Sequence, residues 1–368
     1  MDDYDKAVSF KELYKGMQKS ARGVLWKDSV AGYTMDGLRN TKKLRDDLIN
    51  GTYKISQYQT FTIHEPKERE IKATRIRDRQ FQRSLCDNAL THMVTRSFIY
   101  DNGACLKGKG IDFALDRLDT HLHRYYRKHG SDGWVLRCDI AHFFPETPHD
   151  VAKAAIRKRV SDDRIYDAAA NIIDSFGGYR GIGLGSQVSQ ITELAVLDDL
   201  DHWIKERMRI THYIRYMDDF ILIHHNRSVL EECLKGIRER LLALGLNLNH
   251  KTQVFPLRHG IRFLQWRFIL TDTGKVIRRA SRRTIVRQRR RMKKIAQKII
   301  NGEMPMRKLD ETYISWRGHI RRGNTYKIER KMADLYDRLR NEVLSHDREQ
   351  RFGTCEGKTT QDGCRGEG

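Results

Sequence analysis

Residues 211–225 read THYIRYMDDFILIHH, two runs of β-branched and aromatic residues on either side of Met217, Asp218 and Asp219. Such runs pair as strands, so the spacing predicts a hairpin that carries its acids at the tip. Two carboxylates in that hydrophobic setting need a chemical reason. A second strand-like run, GWVLRCD at 133–139, ends on Asp139. Between the two lies GGYRGIGLGSQVSQ (177–190), read as a Gly-rich loop entering a helix with the apolar stripe Ile191, Leu194, Leu197 and Leu200 and with Ser189 as its N-cap.

The kind of partner follows from charge. Lys and Arg number 70 against 48 Asp and Glu, a net charge of +22, and that imbalance favours a polyanion through long-range attraction and counterion release. Nucleic acid is the first candidate. A membrane is not expected, because the start MDDYDKAVSF is neither a basic amphipathic helix nor a lipidation or signal motif, and no apolar run approaches the roughly 18 residues of a span. The expected location is the cytoplasm. Cys86, Cys105, Cys138, Cys233, Cys355 and Cys364 are scattered singly, which suits reduced thiols. His121 with His123, and His224 with His225, lack a Cys or carboxylate cluster and read better as surface or nucleic-acid contacts than as metal ligands. The stretch from Gly353 to Thr359 imitates a phosphate loop but has three residues where that motif has four between its glycines.

The chain up to about 58 has helical spacing. Residues 58–79 then alternate around a Pro and charge cluster, as a hairpin with a basic tip, and helical periodicity returns over 81–98. After the acidic hairpin come a helix over 229–244, a strand region in GLNLNHKTQV, and a second hairpin in IRFLQWRFILTDTGKVI with turn residues Asp272, Thr273 and Gly274. Residues 278–294 hold ten Arg or Lys and no acid. With the two amphipathic segments that follow, this stretch predicts a three-helix bundle. Residues from about 347 lack apolar periodicity.

Nucleotidyl transfer uses two divalent cations roughly 3.5–4 Å apart, and Mg²⁺ prefers oxygen ligands. Asp139 at a strand end and Asp218 with Asp219 at a hairpin tip could supply them. Singly, each is as easily a turn residue or a solvent-facing pair. In combination, the strand ending at Asp139 followed by Ile140 to Phe144, the Gly-rich loop, the YMDD hairpin, Lys251 and the Phe263-Leu264-Gln265-Trp266 segment resemble reverse transcriptases, over residues 54–326. That resemblance implies an α+β right-hand polymerase fold: N-terminal helices and fingers (1–132), a palm with an antiparallel sheet and packed helices (133–275), a helical thumb (276–346) and a disordered tail (347–368). It implies RNA-directed DNA synthesis with two Mg²⁺, for which Mn²⁺ can substitute. Asp139, the Ile140 carbonyl, Asp218 and Asp219 would hold the metals, and Lys251 would protonate the leaving pyrophosphate. Lys67 and Arg69 would contact the triphosphate, with Arg75 and Arg79 as substitutes. Phe144 would exclude a 2′-hydroxyl, although a core aromatic reads on the same position. Leu184, Gly185 and Gln190 complete the implied dNTP site, and Phe263 to Trp266 the primer grip. The implied partners are an RNA template, a DNA or RNA primer, dNTPs and a small basic accessory protein.

Within that family, the Ser-Gln ending of the Gly-rich loop and Ser315-Trp316 followed by Gly318-His319 are similar to diversity-generating retroelement enzymes, for which an apolar residue at Leu184 implies errors opposite template adenine. Retron and phage-defence reverse transcriptases share parts of the pattern. A non-catalytic RNA-binding splicing cofactor is the reading from another class. Three acids beside a polyanion argue against it, since binding alone does not need them.

Overall fold

The apolar runs become strands where the sequence places them. The computed structural model describes residues 2–64 and 68–356, and among these the strands form three antiparallel sheets. The first pairs β1 (Gln59–Ile63) with β2 (Arg69–Ala73), with Phe61 opposite Ile71. The second holds β3 (Trp134–Asp139), β4 (His212–Tyr216), β5 (Asp219–His224) and β6 (Gln253–Pro256) in the order β4-β5-β3-β6. The third is a meander of β7 (Ile261–Phe263), β8 (Trp266–Leu270) and β9 (Val276–Ala280). The class is α+β, as expected.

The chain divides into two compact units, one of Met1–His121 and Asp132–Pro256, the other of Leu122–Ser131 and Leu257–Gly368. In the first unit the four-stranded sheet buries Leu136, Cys138, Tyr213, Phe220 and Leu222 against Ile204, Leu230, Ile237 and Leu241 from neighbouring helices. A separate core joins Leu13, Leu44, Phe81 and Leu85 to Ile156, Ile172 and Ile191. In the second unit the helices Arg282–Ile300, Arg307–Ile320 and Tyr326–Glu356 pack on one another and bury Met292, Ile295, Trp316, Leu335 and Leu339. Apolar stripes at helical spacing account for that bundle. Among the described residues no helix is long and apolar enough to cross a membrane.

Several expectations need correction. The helix after the Gly-rich loop is Gln187–Val196 and its N-cap is Ser186, whose hydroxyl accepts from the Ser189 backbone amide at 3.3 Å. Ser189 is the donor of that cap, three residues into the helix. The hairpin that was expected to reach residue 79 ends at Ala73, because Ile76–Leu85 is already helical and buries Ile76 and Phe81. His121 is no surface residue; it is 2% exposed and its Nε2 lies 3.0 Å from the buried Asp101 carboxylate. Cys86, Cys105, Cys138 and Cys233 are free. The last helix runs on to Glu356, past the point where the sequence loses its periodicity.

Candidate active site

β3 is flanked on both sides, and that placement fixes the acids. Asp139 is the last residue of β3 and stands directly opposite Asp219, the first of β5. Residues opposed in an antiparallel pair project to the same face. Asp218 is tied in by its carbonyl, which accepts from the Ile140 amide at 3.2 Å. Between β4 and β5, Met217 adopts a left-handed φ of 54°, a strained conformation for a side chain of this kind. All three acids are partly exposed.

The electrostatics reflect this crowding. Burial first, and then the charges of Asp139 and Asp218, push the Asp219 carboxyl up to about 7, against the pull of Arg137, whose Nε lies 3.5 Å from Asp219 Oδ1. Behind the acids, Glu193 is fully buried beside the Thr147 hydroxyl at 3.0 Å, and burial drives its carboxyl well above the ordinary range. Among the described residues no three His, Cys, Asp or Glu side chains are gathered tightly enough to hold a metal ion. The donor set of carboxylates and backbone carbonyls nevertheless suits a hard divalent cation. The mutual repulsion felt at Asp219 is what such a cation would relieve.

Lys251 is exposed, in a turn anchored to Asp139 from both sides: the Asn249 amide donates to the Asp139 carbonyl at 2.7 Å, and Thr252 Oγ1 accepts from the Asp139 amide at 3.4 Å. Phe144 lies in the short helix Phe143–Glu146, half-buried, and its carbonyl accepts from the Ile182 amide at 2.8 Å, joining it to the Gly-rich loop. Leu184 and Gln190 are likewise half-buried, and Gly185 is exposed with a φ of 112° that a side chain would strain. A β-carbon added at Gly185 would lie 3.8 Å from the Lys72 carbonyl oxygen in β2. Lys67 lies outside the described residues. Arg69 pairs by its backbone with Ile63. Of the suggested substitutes, Arg75 donates to the Gln57 carbonyl and Arg79 to the Thr74 carbonyl. Phe263 to Trp266 belong to the second unit, where Leu264 and Gln265 form the tip between β7 and β8 at φ of 46° and 72°. Phe263 and Trp266 are buried beneath that tip.

Three features escaped the sequence reading: Arg137, the fully buried Arg215 with Asp201, and the Asp101 cluster. Asp101 accepts from Arg117, from His121 and from Lys205 at 2.7 Å. Burial alone would raise its carboxyl, but these partners outweigh burial and hold it well below the usual carboxylate range. A charged residue inside an apolar strand run, as in HYIRY and WVLRCD, was the available signal, because a buried charge demands a partner.

An antiparallel sheet whose middle strand and hairpin tip bring carboxylates together is the architecture of a polymerase palm. The sequence agrees: residues 64–268, more than half of the chain, match the family described as "Reverse transcriptase (RNA-dependent DNA polymerase)". The chain belongs to this family of RNA-directed DNA polymerases. It is 24% identical over 272 residues to Protein YkfC of Escherichia coli (strain K12), covering 61% of this chain and 70% of the relative. Similar solved structures include apo telomerase from Candida tropicalis, at 12% identity and a TM-score of 0.47, covering 87% of this chain and 64% of that one. A form of the same telomerase truncated from its C-terminal domain gives 13% identity and 0.47, covering 66% and 60%. The chain thus spans about three fifths of the length of these solved chains.

Proposed function

We propose that this chain copies an RNA template into DNA at Asp139, Asp218 and Asp219, with the Ile140 carbonyl as an added metal ligand. The observation that supports this best is the direct opposition of Asp139 and Asp219 across β3 and β5. Two divalent ions, Mg²⁺ or Mn²⁺, would activate the primer hydroxyl and offset charge on the triphosphate. The three carboxylates bind and orient, and Arg137 restrains Asp219 until the site is filled. Lys251 donates a proton to the departing pyrophosphate, a role suited to an exposed ammonium on a turn pinned to Asp139. Phe144, Leu184, Gly185 and Gln190 shape the dNTP pocket, Lys67 and Arg69 hold the triphosphate, and Phe263 to Trp266 press the primer terminus.

The finer reading is a diversity-generating retroelement enzyme, error-prone at template adenines, working in the cytoplasm with a small basic accessory protein. It rests on the Leu184 loop and on the Ser315 to His319 segment. The division into fingers (1–132), palm (133–275) and thumb (276–346) follows the motifs. Primer extension on an RNA template tests the chemistry: Asp218→Ala should abolish synthesis, and activity that survives this change would end the assignment. Sequencing the cDNA made on co-purified RNA reads template, primer and error spectrum together.

A further inference from the structure

Arg215 and Asp201 are both completely inaccessible to solvent. Two buried charges are costly even when paired, and replacing such a pair with apolar residues is often neutral or stabilising. Its retention beneath the acidic hairpin therefore needs a further reason, and the remaining contacts of the guanidinium supply one. Nε and Nη2 donate to the two Asp201 carboxylate oxygens at 2.8 and 2.6 Å, while Tyr213 donates its hydroxyl to the same carboxylate at 2.5 Å. Nη1 donates to the Met217 carbonyl at 3.1 Å, and Nη2 also reaches the Leu194 carbonyl at 3.3 Å. The Arg215 backbone is clamped as well: its amide donates to the Asp101 carbonyl at 3.1 Å, and its carbonyl accepts from Gly103 at 2.9 Å.

One planar cation thus joins three things: a carboxylate on the helix Asp198–His202, the end of the helix that follows the Gly-rich loop, and the left-handed residue immediately before the acids. Met217 at φ 54° is held in a conformation that its own side chain disfavours, and a strained turn persists only where its surroundings over-determine it. The fork geometry of arginine allows these bonds at once. A lysine, with all its donors on one nitrogen, cannot span them.

We propose that Arg215 is a positioning residue for nucleotidyl transfer: through the Met217 carbonyl, with Asp201 holding the guanidinium in plane, it fixes the turn that aims Asp218 and Asp219. This rests on the assignment of those acids above. Arg215 touches no substrate in this role, so its loss should slow the chemical step and leave dNTP binding alone.

The test compares full-length wild type with Arg215→Lys, the double variant Asp201→Asn/Arg215→Met, and Asp218→Ala. Melting temperature, primer-extension kcat and KM for dNTP are measured, together with hydrogen exchange at the 216–219 amides. Rates are taken per folded molecule, so that loss of folding does not count as loss of catalysis. We expect Arg215→Lys to lower kcat at least tenfold with KM within twofold, and to speed exchange at the turn. The double variant, which carries no unpaired buried charge and leaves Tyr213 an acceptor, should melt higher than Arg215→Lys yet stay slow. Recovery of kcat along with melting temperature in the double variant, or wild-type kcat in Arg215→Lys, would overturn the proposal. If Arg215→Lys folds too poorly to read, the double variant decides by the same criterion. Activity in Asp218→Ala would instead remove the assignment of the acids, so the two failures are distinguishable.

Discussion

Replacing Asp101 by Asn keeps the shape of the side chain and deletes its charge. Asp101 is 2% exposed and receives Arg117, His121 and Lys205. Breaking a buried ion pair from one side costs about 3–5 kcal/mol, because the partner charges stay behind. Here Arg117 and Lys205 keep 16% and 24% of their side-chain surface exposed and can turn partly to water, so the lower end, about 3 kcal/mol, is expected. For a unit of this size that corresponds to a fall in melting temperature of roughly 6–12 °C. The pH dependence adds a second signature. The folded carboxyl sits below its ordinary value, so its contribution is complete above the unfolded value of about 3.9 and is lost as the pH falls from there toward the folded value. Denaturant unfolding of wild type and Asp101→Asn at several pH values should therefore show a gap that widens as the pH falls through the range where His121 titrates in the unfolded chain, because Asp101 raises the affinity of His121 for its proton, and that narrows again below about 4. A gap under about 1 kcal/mol at neutral pH, or one that persists unchanged in acid, would refute the reasoning.

A β-carbon added at Gly183 would lie 2.1 Å from the Phe176 ring; Gly183→Ala should cost about 1–3 kcal/mol by overpacking, read as a shift of the denaturant midpoint, and an unchanged midpoint would show that the ring yields freely. Phe144→Val should raise ribonucleotide incorporation at least tenfold relative to deoxynucleotide in primer-extension competition, while an unchanged ratio would leave Phe144 as packing alone. Leu184→Gln should lower misincorporation opposite template adenine in sequenced cDNA, and an identical error spectrum would remove the retroelement reading.

The backbone of the site was legible because strand alternation and turn chemistry are local. GWVLRCD and THYIRYMDDFILIHH became β3 and the β4–β5 hairpin with the acids where alternation put them. Helix starts were less legible. Ser186 and Ser189 are both good caps by residue type, and only tertiary packing, with Ser186 Oγ donating to the buried Gln82 at 3.1 Å, selects the first. Residues 76–79 look like the end of a charged hairpin, yet Ile76 and Asp78 are buried on a helix, where Asp78 accepts from the Tyr53 hydroxyl at 2.8 Å. In the polar interior, Arg137 and Arg215 within apolar runs signalled a buried charge, but the identity of their partners and the whole Asp101 cluster were hidden. Partners such as Asp101 and Lys205 are separated by 104 residues, and no periodicity in a sequence encodes a meeting of that kind.

β3 carries Asp139 between two neighbours, with Arg137 opposite both Ile221 and Gln253. Alignment of the acids is consequently stored as a residue count, enforced from left and right. Inserting or deleting one amino acid within this central strand would turn Asp139 to the opposite side and put apolar side chains into water along its length, so no gradual path leads to an altered spacing. Variation that reshapes substrate choice is channelled instead into the connections around the strand, which can lengthen or change without disturbing that count.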